Sequence, residues 1–321
     1  QMGNPDLKWQ RTLNNNFGLT AAFLDSRFNL SFDFYSNTTY DMLMSVNLPP
    51  SVGTTSMNVN FGQLNNKGLD LSLSAQIIRN KDWFWSMTLT GGHVMDQIRK
   101  ISQGLKNDID NPYDSSKPKI LFVEGGSQYD IYAMRSAGID PATGKEIFIK
   151  KNGEYTFKYD ENERVAVGNT NPILQGSWMN TVRYKGFSIS LATSYTFGSD
   201  YYNSTLKNKV ENIDLDYNVD RRVFTDRWKQ PGDHTRFLGI GTSSSSSQYS
   251  ERFVEKRNEL YISSIQVMYD FAPKAITRLG LRKLAIGFGL SDIAHISTVK
   301  FERGTDYPYC RGINLIFRPT F

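Results

Sequence analysis

The sequence predicts an all-β chain folded as a transmembrane antiparallel β-barrel, on three observations. Apolar and polar residues alternate in segment after segment. The clearest case is 187–197, where Phe187, Ile189, Leu191, Thr193, Tyr195 and Phe197 oppose Ser188, Ser190, Ala192, Ser194 and Thr196. Successive side chains of a strand face opposite ways, so each such segment has one greasy and one polar face. The connections between segments alternate short and long, as the turns and loops at the two ends of a membrane barrel do. Finally, Arg311–Phe321 sets Ile313, Leu315, Phe317 and Phe321 against Gly312, Asn314, Arg318 and Thr320, and stops on an aromatic. An unpaired edge strand is an aggregation hazard, and the simplest partner is the first strand of a closed barrel.

Composition narrows the class. The 321 residues include 17 Tyr, 20 Phe and 5 Trp and no run of eighteen apolar residues, which excludes a transmembrane helix but not crossing strands. The net charge of +5 forms no basic stripe, because the densest patch, Arg252 to Arg257, also holds Glu251 and Glu255; nucleic acid is not an expected partner. A lone Cys310 forms no internal disulfide. Gln1 opens a polar, strand-leading stretch with no charged-then-apolar leader, which reads as a piece of something longer or a processed product.

In chain order, 8–24 gives the first strand, with Phe17, Leu19, Ala21 and Phe23 on one parity, and Leu24–Arg27 turns it. The second strand runs from Phe28 to about Val46, longer than a tilted crossing needs, so one end projects into water. Leu48-Pro-Pro-Ser-Val-Gly53 breaks it, and a loop over about 47–64 leads to a third strand in which Leu69, Leu71, Leu73, Ala75 and Ile77 oppose Asp70, Ser72, Ser74 and Gln76. After Arg79–Asp82, Trp83 and Trp85 open the fourth strand as candidate membrane-interface aromatics. A long loop over about 96–174 contains a tight turn at Asp140–Gly144 and a small hairpin, 147–149 with 155–157, around Asn152-Gly153. Strands five and six span about 177–184 and 187–197 around Lys185-Gly186, followed by a loop over about 199–250 with a serine-run tip at 243–247. Strands seven and eight cover about 252–271 and 282–291, and a loop at about 292–309 precedes the ninth. Nine is odd, and single-chain bacterial barrels have even strand numbers, so these strands read as part of a larger barrel.

Catalytic and metal signals are weak. His93, His234 and His295 show no ligand spacing, and no Gly-x-Ser-x-Gly appears. Asp108/Asp110 and Asp214/Asp216 lack a calcium-loop frame and read as solvated loop charge. No catalytic residue, metal or cofactor is expected. A secreted β-rich glycan-binding or glycan-hydrolysing domain is the alternative of a different class.

Several motifs carry a resemblance: Leu7-Lys-Trp-Gln10, Asp33–Asp41, Leu48–Gly53, Asn65-Asn-Lys-Gly-Leu-Asp70, Gly138–Gly144, Gly168-Asn169 with Pro172, Gly176-Ser177, Tyr184-Lys-Gly-Phe187, Arg227–Asp233, Ser250–Val254, Arg303–Pro308 and Phe321. In this order, over nearly the whole chain, they resemble the C-terminal half of SusC-like TonB-dependent transporters. The resemblance implies a 22-stranded Gram-negative outer-membrane barrel occluded by a plug, with residues 1–321 supplying the last nine strands. The plug and TonB box would lie outside this sequence. It further implies import of glycans or oligopeptides beneath a SusD-like surface lipoprotein lid, energised through TonB, and a dimer of such pairs. Tyr129, Tyr132, Trp228, Asp233 and Tyr249 are the candidate ligand- or lid-facing loop residues, against the competing reading that they fold the loops. Phe317 and Phe321 are the candidates for barrel closure and the assembly signal.

Overall fold

The computed structural model describes residues 4–47, 53, 56–101, 122–214, 216, 218–241, 248–276, 280–301 and 311–321. Nine long strands make one sheet: β1 (Arg11–Phe23), β2 (Phe28–Asn47), β3 (Ser56–Arg79), β4 (Trp83–Ile101), β10 (Leu174–Tyr184), β11 (Phe187–Tyr202), β12 (Val254–Asp270), β13 (Lys283–Ser297) and β14 (Gly312–Thr320). They pair antiparallel in the order β1-β2-β3-β4-β10-β11-β12-β13-β14, so each strand lies beside its predecessor in the wall and the sheet is open at β1 and β14. Five short strands belong to the connection between β4 and β10. Of these, β5 (Asp130–Ala133) pairs with β9 (Val165–Asn169), while β6 (Arg135–Ile139), β7 (Glu146–Ile149) and β8 (Tyr155–Thr156) form a small sheet. The helices are α1 (Ser204–Val210) and α2 (Arg222–Thr225) in the β11–β12 connection and α3 (Pro273–Ile276) in the β12–β13 turn.

Four of the expected loop boundaries are corrected. The segment 47–64 is largely strand, because β2 and β3 stay paired up to Asn47 and Ser56. The alternation that would have revealed this is interrupted by register shifts between Thr39 and Leu43, where Asp41 takes φ 52° and Gly62 φ 148°. A bulge resets the parity of everything beyond it. A Cβ on Gly62 would fall 1.9 Å from the Lys100 carbonyl oxygen, so the close approach requires glycine. The loops read from 96, 199 and 292 likewise begin later, since β4 runs to Ile101, β11 to Tyr202 and β13 to Ser297. Strands of 19 to 24 residues in β2–β4 exceed a crossing of roughly 9–11. Their upper ends carry an apolar cluster, Leu64, Ile98 and Ile101, covered by Met42, Val59 and Phe122. The hairpin expected around Asn152-Gly153 is present, with Phe148 opposite Thr156. Residues 102–121, which include Asp108 and Asp110, the serine run 243–247, Arg303–Pro308 and Cys310 lie outside the described residues.

Register turns the alternation into two continuous faces. One row crosses all nine strands: Phe23, Phe28, Ala75, Met87, Asn180, Leu191, Ile265, Leu290 and Ile313. Its single amide, Asn180, accepts from Trp85 Nε1 at 3.3 Å. The row starts at the last residue of β1 yet meets β14 near its beginning, the stagger of strands tilted in a barrel wall. A second row nearer the turns is Trp83, Tyr184, Phe187, Tyr269, Ile286 and Phe317, with Trp83 and Tyr184 rings 4.4 Å apart and Phe187 and Tyr269 4.6 Å apart. Several large side chains on this face are exposed: Trp83 is 45% exposed, Phe187 54% and Phe317 65%. Leaving large apolar side chains in water forgoes ~1.5–3 kcal/mol each, so a face this wide calls for hydrocarbon against it.

Candidate transport face and loop layer

The opposite face is polar by the same register. Thr20, Ser31, Ser72, Thr90, Ser177, Ser194, Tyr261 and His295 align across eight strands. The next row towards the loops holds Gly18, Asp33, Asp70, Gly92, Gln175, Thr196, Glu259 and Ser297. Asp33 and Asp70 are direct cross-strand neighbours, an arrangement that like charges oppose. The glycines on either side relieve it. Asp33 Oδ1 leans to 2.7 Å from where a Gly18 Cβ would sit, and Asp70 Oδ1 to 2.5 Å from that of Gly92. Each carboxylate thus occupies its neighbour's missing side chain and turns away from the other. Ser31, Ser72, Thr90 and Gln175 complete a shallow cavity of about 300 Å³ over this pair. Further round the wall, Glu259 Oε1 lies 2.5 Å from His295 Nε2, and Tyr261 donates to Asp292 at a bulge. Such a surface offers hydroxyls and carboxylates to a polar solute.

Two connections form a layer over the loop end of the sheet. Ile131, from the β4–β10 connection, packs with Tyr202, Leu206, Val210, Phe237 and Phe253 in one buried cluster. Arg252 joins the same two connections electrostatically: Nε is 2.8 Å from Glu146 Oε1 and Nη1 2.8 Å from Glu211 Oε1, with all three side chains at most 6% exposed. Lys207 is buried beside them with its ammonium 3.9 Å from the centre of the Tyr249 ring. Burial pulls the Lys207 amine down to about 8, against the partial support of Glu211.

The family-like segment Arg227–Asp233 docks onto the turn Asp140–Gly144. Arg227 donates to the carbonyls of Leu238 (2.7 Å), Gly239 (2.9 Å) and Val210 (3.1 Å). Trp228 Nε1 donates to Pro141 O at 2.9 Å, and its ring covers Gly144 so closely that a Cβ there would lie 2.4 Å from it. The Asp233 carboxylate accepts the Lys229 and Gln230 amides, each at 3.0 Å. Trp228 and Asp233 are therefore engaged in shaping the layer. Tyr132 is buried in β5, and Tyr249 is half-buried against the loop core. Tyr129 alone of the five offers an exposed ring, at 44%. Tyr155, Phe157 and Phe224, which the sequence reading passed over, are more exposed. Trp83 lies in the aromatic row, Trp85 one step inside it, and Phe317 and Phe321 are exposed on and beside β14.

This geometry has known counterparts. Residues 1–129 match the family described as TonB dependent receptor-like, β-barrel. The chain is 25% identical, over 91% of its length, to TonB-dependent receptor P39 of Formosa agariphila, of which it covers 32%. It is 26% identical, over 84% of its length, to TonB-dependent receptor SusC of Bacteroides thetaiotaomicron, of which it covers 27%. The RagAB peptide transporter structure superposes with a TM-score of 0.78 at 22% identity, over 93% of this chain and 33% of that one. The chain resembles part of a SusC-like TonB-dependent receptor barrel. It spans about a third of the length of these relatives, and the nine-stranded open sheet is a partial wall of the receptor barrel fold.

Proposed function

We propose that this SusC-like segment is the C-terminal part of a 22-stranded, plugged outer-membrane barrel that imports oligopeptides or glycans, works with a SusD-like lipoprotein lid and draws energy through TonB. The observation that supports this reading is the two-faced wall. A continuous apolar face suits lipid, and rows of hydroxyls and carboxylates suit a water-filled lumen beneath the loop layer. The open edges at β1 and β14 would be closed by strands upstream in the full receptor. Its activity is transport, with Tyr129 and the exposed loop rings as the first contacts offered to solute or lid. A strain lacking the gene should lose uptake of labelled oligopeptides or of oligosaccharides, and regain it with the full-length gene. Undiminished uptake and growth on every peptide and glycan tried would refute the transport reading. Release from washed membranes by high salt without detergent would instead favour a secreted domain.

A further inference from the structure

The fold sorts the charge of the chain by end. Segments 24–28, 79–83, 183–187, 270–284 and 317–321 make up the short-turn end of the sheet. Among their described residues stand nine lysines and arginines against three aspartates, a net +6 that exceeds the +5 of the whole chain. The excess therefore sits at this end, offset in the sum by carboxylates of the polar strand face such as Asp33, Asp70, Glu259 and Asp292. Lys81, Lys185 and Arg282, in the turns themselves, are exposed, and none is ion-paired among the described residues. They sit within a few residues of the aromatic row. Lys185 follows Tyr184, with its ammonium 5.2 Å from that ring. Aromatic rings at a membrane interface with cations just beyond them is the arrangement that meets lipid headgroups.

We propose that this rim binds the phosphates of anionic phospholipids in the leaflet that the short turns face. The inference rests on the membrane-barrel reading above, in which those turns are periplasmic and that leaflet is the inner one. The cations gain little from one another and form no salt bridge among the described residues, whereas headgroup phosphates lie at the depth of the aromatic row. The phosphates of lipopolysaccharide are the other source of this chemistry, but on that reading they lie at the opposite end of the wall, away from this cluster.

The test uses the full-length receptor, purified in detergent, mixed with phosphatidylglycerol and phosphatidylethanolamine, and stripped stepwise while retained lipid is read by native mass spectrometry. Wild type should keep phosphatidylglycerol in preference, lose the preference in high salt, and lose it ~tenfold in Lys81→Gln/Lys185→Gln/Arg282→Gln. The Lys81→Arg/Lys185→Arg variant should keep it, and carries the test if the neutral variant fails to fold. No preference in wild type, the same preference in the neutral variant, or loss of co-purified lipopolysaccharide instead would overturn the proposal. Failure of the barrel reading would appear separately, as extraction without detergent.

Discussion

Arg252 shows what one buried cation does in this molecule. It faces Glu146 from one connection and Glu211 from another, at 2.8 Å to each, so it spans chain segments that share no local sequence. Removing it leaves two carboxylates in a site that excludes water. Arg252→Ala should destabilise the loop layer by about 3–5 kcal/mol, read as faster hydrogen exchange in α1, β7 and the start of β12 while the sheet stays protected. Lys207 works against stability. Its amine is held near 8 in the folded layer and titrates near 10.5 when unfolded, so between those values the unfolded chain binds the extra proton. Stability therefore rises with pH through that window, and the penalty is fully present below pH 8. Lys207→Met should raise the melting temperature of the detergent-solubilised protein at pH 7, and the gap to wild type should narrow at pH 10. An equal gap at both pH values would contradict the burial account.

At the level of elements, the long strands depend on a few places where one backbone touches another. A Cβ on Gly176 would lie 1.9 Å from the Thr90 carbonyl oxygen, the same acceptor that Tyr195 bonds at 2.6 Å across the β4–β10 pair. Gly176→Val should destabilise the wall by roughly 1–3 kcal/mol and lower the fraction that migrates as folded barrel on unheated gels, while Gly289→Ala, where a Cβ meets only ordinary contact, should leave that fraction unchanged. Strands were legible wherever one face meets lipid and the other water. Leu69–Ile77 and Phe187–Phe197 declare their parity residue by residue, and all nine strands stand in the sheet. The tops of β2 and β3 were not legible, because polar residues such as Asn60, Asn65 and Asn66 occupy both parities there and bulges shift the count. The loop layer was legible only as turns. Nothing in linear spacing joins Glu146 to Arg252, or His295 to Glu259, because strand register and loop packing bring them together. Trp228 and Asp233 carried the opposite ambiguity, since an aromatic or acidic loop residue reads as a contact until its own hydrogen bonds are seen.

For the molecule as a whole, the central claim is that one face of the sheet meets lipid and the other water. A charge on the apolar face should be penalised by about 2–4 kcal/mol at mid-bilayer, so Leu71→Arg should block assembly where Ser72→Arg is tolerated, as judged by folded yield in vesicles. The most direct test needs no disruption of the fold. With Cys310 replaced by serine, single cysteines at 69 to 74 of the full-length receptor in lipid vesicles are spin-labelled and their collisions with oxygen and with a water-soluble nickel complex compared. Positions 69, 71 and 73 should favour oxygen, and positions 70, 72 and 74 the nickel complex. Equal accessibility along the strand, or the reverse alternation, would contradict the assignment of faces and the transport reading built on it.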